Sequence, residues 1–87
     1  MTATDPRLKR LRIRAWRRGI KEMDLILGGY ADAELDRMDE GQVALFEAVL
    51  GENDHDLFAW VTGQAEPPVR FAPLMAELSR RVPGIAR

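Results

Sequence analysis

Apolar residues recur along this chain at intervals of three and four, and nowhere do they alternate with polar ones over the length that a half-buried strand requires. Leu8, Leu11 and Ala15, with Arg18 at the same spacing, mark a first helix, and Ile13, Trp16 and Ile20 extend its apolar side. Asp5-Pro6 is a starting signal, since aspartate can accept an orphan N–H and proline at the first position gives up a hydrogen that has no partner there. The pattern predicts a helix over 6–18, ended by Gly19 in a left-handed conformation. A second helix is predicted from Ile20 or Lys21 to about Leu27 and again from Tyr30 to Arg37. Gly28 and Gly29 lie between, and at roughly 1 kcal/mol per residue they predict a kink or a break.

The later starts are clearer. Asp39 followed by Gln42 has capping-box spacing, Leu45, Phe46, Val49 and Leu50 form a stripe, and Gly51 is the stop. Asp54 or Asn53 caps a short fourth helix carrying Leu57, Phe58, Trp60 and Val61, which Gly63 ends. Gln64 to Pro68 reads as a linker. A fifth helix begins near Phe71 or Pro73, buries Leu74, Met75 and Leu78, and stops at Pro83-Gly84. Five short helices with tight connections predict a compact all-α domain over 6–82, with 1–5 a flexible N-terminus and 83–87 a tail. Phe46, Leu57 and Phe58 are expected in the core, with Trp16 and Trp60 in or beside it.

Eighty-seven residues allow one domain with one small core. Without cysteine, neither a disulfide nor a thiolate metal site can reinforce it. No apolar run approaches the roughly 20 residues that span a bilayer, and no secretory signal pattern is visible, so the expectation is a cytoplasmic protein.

The net charge of −1 conceals a division: residues 1–21 carry +7, residues 22–66 carry −11 and residues 67–87 carry +3. The basic arm can fold on the acidic middle or present a charged face to a partner. Nucleic-acid binding through that arm is the alternative function, weakened by the acidity of the following helices. Catalysis has few candidates: one histidine, His55, no thiol, and few hydroxyls, among them Thr62 and Ser79. Asp39/Glu40 and Asp54/Asp56 flank helix starts, where capping accounts for them, and a hard-cation loop needs more oxygen ligands. The expectation is no enzyme, no bound metal and no stably bound cofactor.

The most distinctive string is Arg17-Arg18-Gly19-Ile20-Lys21-Glu22-Met23-Asp24, at the turn between the first two helices. Together with Asp54-His55-Asp56-Leu57-Phe58-Ala59-Trp60 it resembles the SdhE family, the FAD assembly factors of succinate dehydrogenase, whose mitochondrial members are called succinate dehydrogenase assembly factor 2. The likeness covers about residues 8–80. It implies a small helical chaperone that binds the flavoprotein subunit of succinate dehydrogenase, and in some bacteria that of fumarate reductase, to promote covalent attachment of FAD. A eukaryotic member would act in the mitochondrial matrix, although no clear transit segment is present here; some relatives have carried an antitoxin label.

The family's R-G-x-x-E motif falls on Arg18, Gly19 and Glu22, and the resemblance extends the partner-binding expectation to Arg17 and Asp24. Tyr30 and His55 are further interface candidates; His55 departs from the proline that many relatives carry there. Plainer readings stand beside these. Gly19 can be a C-cap and nothing more, Glu22 can favour a helix dipole or pair with Arg18, Arg17 and Arg18 can be solvated surface, and Tyr30 can belong to the core edge.

Overall fold

The structure, a computed structural model, describes residues 6–81. Five helices follow in order: α1 Pro6–Ala15, α2 Lys21–Glu34, α3 Glu40–Leu50, α4 Asp54–Val61 and α5 Ala72–Arg81. Single 3₁₀ turns at Leu35–Arg37 and Val69–Phe71 follow α2 and precede α5, and no strand occurs among the described residues. α2 is the central element, packed against α1, α4 and α5. Leu11, Met23, Leu27, Leu35, Phe46, Leu57, Phe71 and Leu78 are fully buried, and no polar or charged residue is buried with them among the described residues.

The local signals at α3 appear as read: Asp39 accepts from the Gln42 backbone N–H and the Gln42 side chain accepts from the Asp39 N–H. Three expectations require correction. α1 ends at Ala15, three residues early, where the Trp16 N–H is shared between the Arg12 and Ile13 carbonyls and the Arg17 N–H turns back to Arg14. Gly19 is not left-handed; among the described residues Gly63 is the glycine with positive φ, at 82°. Of the two caps read for α4, Asn53 is the one used, its Oδ1 accepting from the His55 and Asp56 N–H groups.

Most informative is α2, which runs unbroken through Gly28 and Gly29. Gly28 is buried under the indole of Trp16, and a Cβ placed there would lie 2.3 Å from the ring. The glycine's helix penalty is thus offset by the close approach of an aromatic ring. Trp16 consequently lies over α2 rather than inside the core, 39 % exposed, with Nε1 donating to Asp32 at 3.3 Å, while Ile13 is 46 % exposed. Phe58 and Trp60 are half-buried against the core, and Trp60 meets Phe71 at 6.1 Å between ring centroids. The expected cap at Asp5, the stop at Pro83-Gly84 and the flexible termini fall outside the described residues.

Candidate functional site

Residues 16–20 connect α1 to α2, and the Arg18 side chain enters the space between this connection and the α3–α4 turn. Its Nε donates to Asp54 Oδ1 at 2.7 Å, Nη1 to the Leu50 carbonyl at 2.7 Å and Nη2 to the Glu52 carbonyl at 2.8 Å. The Arg18 side chain is only 10 % exposed and that of Asp54 17 %. Leu50 is the last residue of α3, so the guanidinium meets a carbonyl that helix geometry leaves without a partner, at the end where cations are favoured.

Two main-chain bonds complete the arrangement. The Arg18 N–H donates to Asp24 Oδ1, in the first turn of α2, and the Gly19 N–H donates to Asp54 Oδ2. Asp54 therefore binds both the side chain of Arg18 and the backbone of Gly19. A Cβ at Gly19 would come within 3.0 Å of that same carboxylate oxygen. Close approach of Asp54, and not the left-handed backbone expected, is what a side chain at this position would meet.

These bonds divide the motif into two sets. Arg18 and Asp24 face inward and are spent on holding the turn. Arg17, Gly19, Lys21 and Glu22 are exposed, and the side chains of Arg17, Lys21 and Glu22 have no partner among the described residues. The pairing of Glu22 with Arg18 that spacing allowed does not form, since Arg18 turns to Asp54. His55, exposed and next to Asp54 in the first turn of α4, stands at the rim of the same region. Tyr30 is not brought there: it lies about 12 Å farther along α2, half-buried against Phe46 and beneath the guanidinium of Arg81.

The basic arm is partly used within the molecule. Arg7 meets Glu40 and Glu47 at 2.6 and 2.9 Å, and Arg12 meets Asp32 and Asp36, both at 3.3 Å. Lys9, Arg10, Arg14, Arg17 and Lys21 remain exposed without an acidic partner among the described residues. Sequence reading singled out Arg18 and missed its acceptors. The available signal was the pair Asn53-Asp54, two capping-type residues where one helix start uses only one.

Cavities of about 360, 310 and 210 Å³ open elsewhere, none of them lined by residues 17–24. No group of three or more His, Asp or Glu side chains is placed to hold a metal among the described residues. No described helix is long and apolar enough to cross a membrane.

Comparison with known proteins gives a consistent answer. Residues 9–82 match the family model described as flavinator of succinate dehydrogenase. The FAD assembly factor SdhE of Legionella pneumophila (strain Lens) is 43 % identical over 51 residues, 59 % of this chain and 65 % of the relative. The mitochondrial succinate dehydrogenase assembly factor 2 of Arabidopsis thaliana is 35 % identical over 77 residues, 86 % of this chain and 41 % of the relative. That of Schizosaccharomyces pombe is 31 % identical over 78 residues, 87 % of this chain and 56 % of the relative. The chain thus spans about two fifths to two thirds of the length of these curated relatives, and no solved structure matches it. With its five-helix domain and its Arg18-Gly19-x-x-Glu22 turn, the chain belongs to the SdhE and succinate dehydrogenase assembly factor 2 family.

Proposed function

We propose that this chain is an assembly factor that binds the flavoprotein subunit of succinate dehydrogenase, and in suitable cells that of fumarate reductase, and promotes covalent attachment of FAD to it. The observation that carries this reading is the fixed turn at 17–22, whose charged groups Arg17, Lys21 and Glu22 are exposed with no partner among the described residues. A turn already held by Arg18, Asp24 and Asp54 pays little ordering entropy on binding, so more of the contact energy appears as affinity.

The reading assigns this chain no chemical step. Covalent flavinylation needs the flavin and an acceptor histidine of the flavoprotein at attack distance. An assembly factor that binds the competent conformation of its partner more tightly than the others raises the population of that conformation, and the flavoprotein's own residues then react. The flavin belongs to the partner in this scheme, in keeping with cavities that lie away from the turn.

The rival reading, a polyanion-binding arm, loses Arg7, Arg12 and Arg18 to this molecule's own acids and would rest on Lys9, Arg10, Arg14, Arg17 and Lys21 alone. The deciding experiment mixes the purified protein with FAD and apo-flavoprotein and measures flavin fluorescence that survives denaturation. A marked increase over the reaction without the factor is expected. Equal yields with and without it would overturn the assignment.

A further inference from the structure

The geometry points to Asp54, acting with Arg18, as a positioning pair that sets the turn carrying Glu22 against the α3–α4 corner; within the motif, Arg18 is an internal brace and makes no contact with the partner. The inference rests on the assembly-factor reading for its consequence in binding, and on geometry alone for the brace.

Three features carry it. The guanidinium of Arg18 has its three donor groups Nε, Nη1 and Nη2 engaged, two of them with main-chain carbonyls that do not move unless the α3–α4 turn does. At 10 % exposure it offers a partner little surface, whereas Arg17, one residue earlier, is exposed and unengaged among the described residues. Asp54 uses its second oxygen on the Gly19 N–H, so one carboxylate fixes both the side chain before the glycine and the glycine's own backbone. Because Asn53 caps α4, the Asp54 side chain is free for this work. Glu22 follows by three residues on a helix whose start is tied to the same turn through the Arg18 N–H and Asp24.

The test uses the full chain with Asp54→Ala and the near-isosteric Asp54→Asn, which keeps an acceptor for Arg18 but cannot keep both. Each is made with and without Glu22→Ala. The first readout needs no partner: hydrogen exchange at the Gly19 amide should accelerate about tenfold or more on loss of a charge-assisted bond, while the Leu27 amide in the core stays protected. The second is affinity for apo-flavoprotein, expected to fall about tenfold for Asp54→Ala and less for Asp54→Asn. Glu22→Ala should then cost less in the Asp54→Ala background than in the natural one, since a misplaced turn cannot use Glu22.

Arg18→Lys supplies the opposing arm. It keeps a positive charge for any direct contact but cannot reach three acceptors at once, so it should follow Asp54→Ala. Unchanged Gly19 exchange in both Asp54 variants would overturn the brace. Wild-type affinity in Asp54→Ala with a large loss from an Arg18 variant would overturn the positioning role and make Arg18 a contact residue. Failure of the natural protein to bind flavoprotein would defeat the functional reading instead, and the exchange measurement would still decide whether the brace exists.

Discussion

The two ends of α2 are each fastened by an arginine, and the two fastenings differ in kind. At the N-terminal end, Arg18 is largely buried and two of its three acceptors are main-chain carbonyls. At the C-terminal end, Arg81 is 38 % exposed, pairs with the carboxylates of Glu34 and Glu77, and lies 5.3 Å above the ring of Tyr30. A guanidinium bonded to backbone carbonyls fixes the path of the chain itself. One bonded to side-chain carboxylates partly open to water is screened and contributes less. The same residue type therefore shapes a surface at one end of the helix and decorates it at the other.

The largest effect expected from this difference is on stability. Arg18→Ala leaves Asp54 Oδ1 and two carbonyls without their donors, and should cost about 2 to 3 kcal/mol, just below the about 3 to 5 kcal/mol of a fully buried pair that loses one partner, because this pair is partly exposed. Urea unfolding checks it, and a loss as small as that of an exposed pair would erase the contrast. Gly28→Ala tests the other fastening of the turn, the indole of Trp16 on α2. Ordinarily the change favours a helix by about 1 kcal/mol. Here the added methyl meets the ring at 2.3 Å, and the net result should be a loss of about 1 to 2 kcal/mol. A stabilised Gly28→Ala protein would show that Trp16 does not lie there.

Arg81→Ala should shift the urea midpoint much less, and the difference should vanish at high salt. Its clearer signature is in titration. The hydrogen bond from Arg81, ahead of opposing desolvation, holds the Glu77 carboxyl below its ordinary range. That pair's contribution is present above the ordinary carboxylate pKa and is lost as pH falls through the lowered one. Burial, then the charges of Glu77 and Glu34, push the Tyr30 phenol above its ordinary value of 10.0, with Arg81 acting in the opposite direction. Stability linked to Tyr30 is complete below that ordinary value and is lost as pH rises through the elevated one. Tyr30 is the sole tyrosine, so phenolate absorbance reports it alone. Its midpoint should lie above 10.0 and rise further in Arg81→Ala; a midpoint at or below the ordinary value would remove the description of this end.

How much of this was legible in the sequence depends on the distance over which each cause acts. The Asp39–Gln42 box, the apolar stripes of α3 and α5 and the stop at Gly63 are local, and periodicity and capping chemistry reveal them. The continuity of α2 was not legible, because the reason for Gly28 is the indole of Trp16, twelve residues away in sequence and adjacent only after α1 folds back. The candidate turn was found by its motif, but its division into inward and outward residues was hidden. Arg18 is held chiefly by backbone carbonyls, which carry no residue identity, and the one side-chain partner, Asp54, had a sufficient local explanation as a helix cap. The opposition of basic arm and acidic middle was legible as charge; which cations stay outward depended on the face of α1 they occupy.

If the outward residues of this turn, held in place from within, recognise the flavoprotein, Glu22→Ala removes one of the recognising groups and leaves the turn's own bonds intact. Glu22 is exposed and has no partner among the described residues, so its removal should change folding stability by less than about 1 kcal/mol. Loss of a charged contact that becomes buried in a complex costs about 2 to 5 kcal/mol, or about thirtyfold and more in affinity. With the factor at sub-saturating concentration, the variant should therefore fold normally, bind apo-flavoprotein far more weakly and yield little covalent flavin above the factor-free level. Natural affinity and a natural flavin yield from Glu22→Ala would show that the turn does not recognise the flavoprotein through Glu22 and return that residue to the ordinary role of an acid at a helix start.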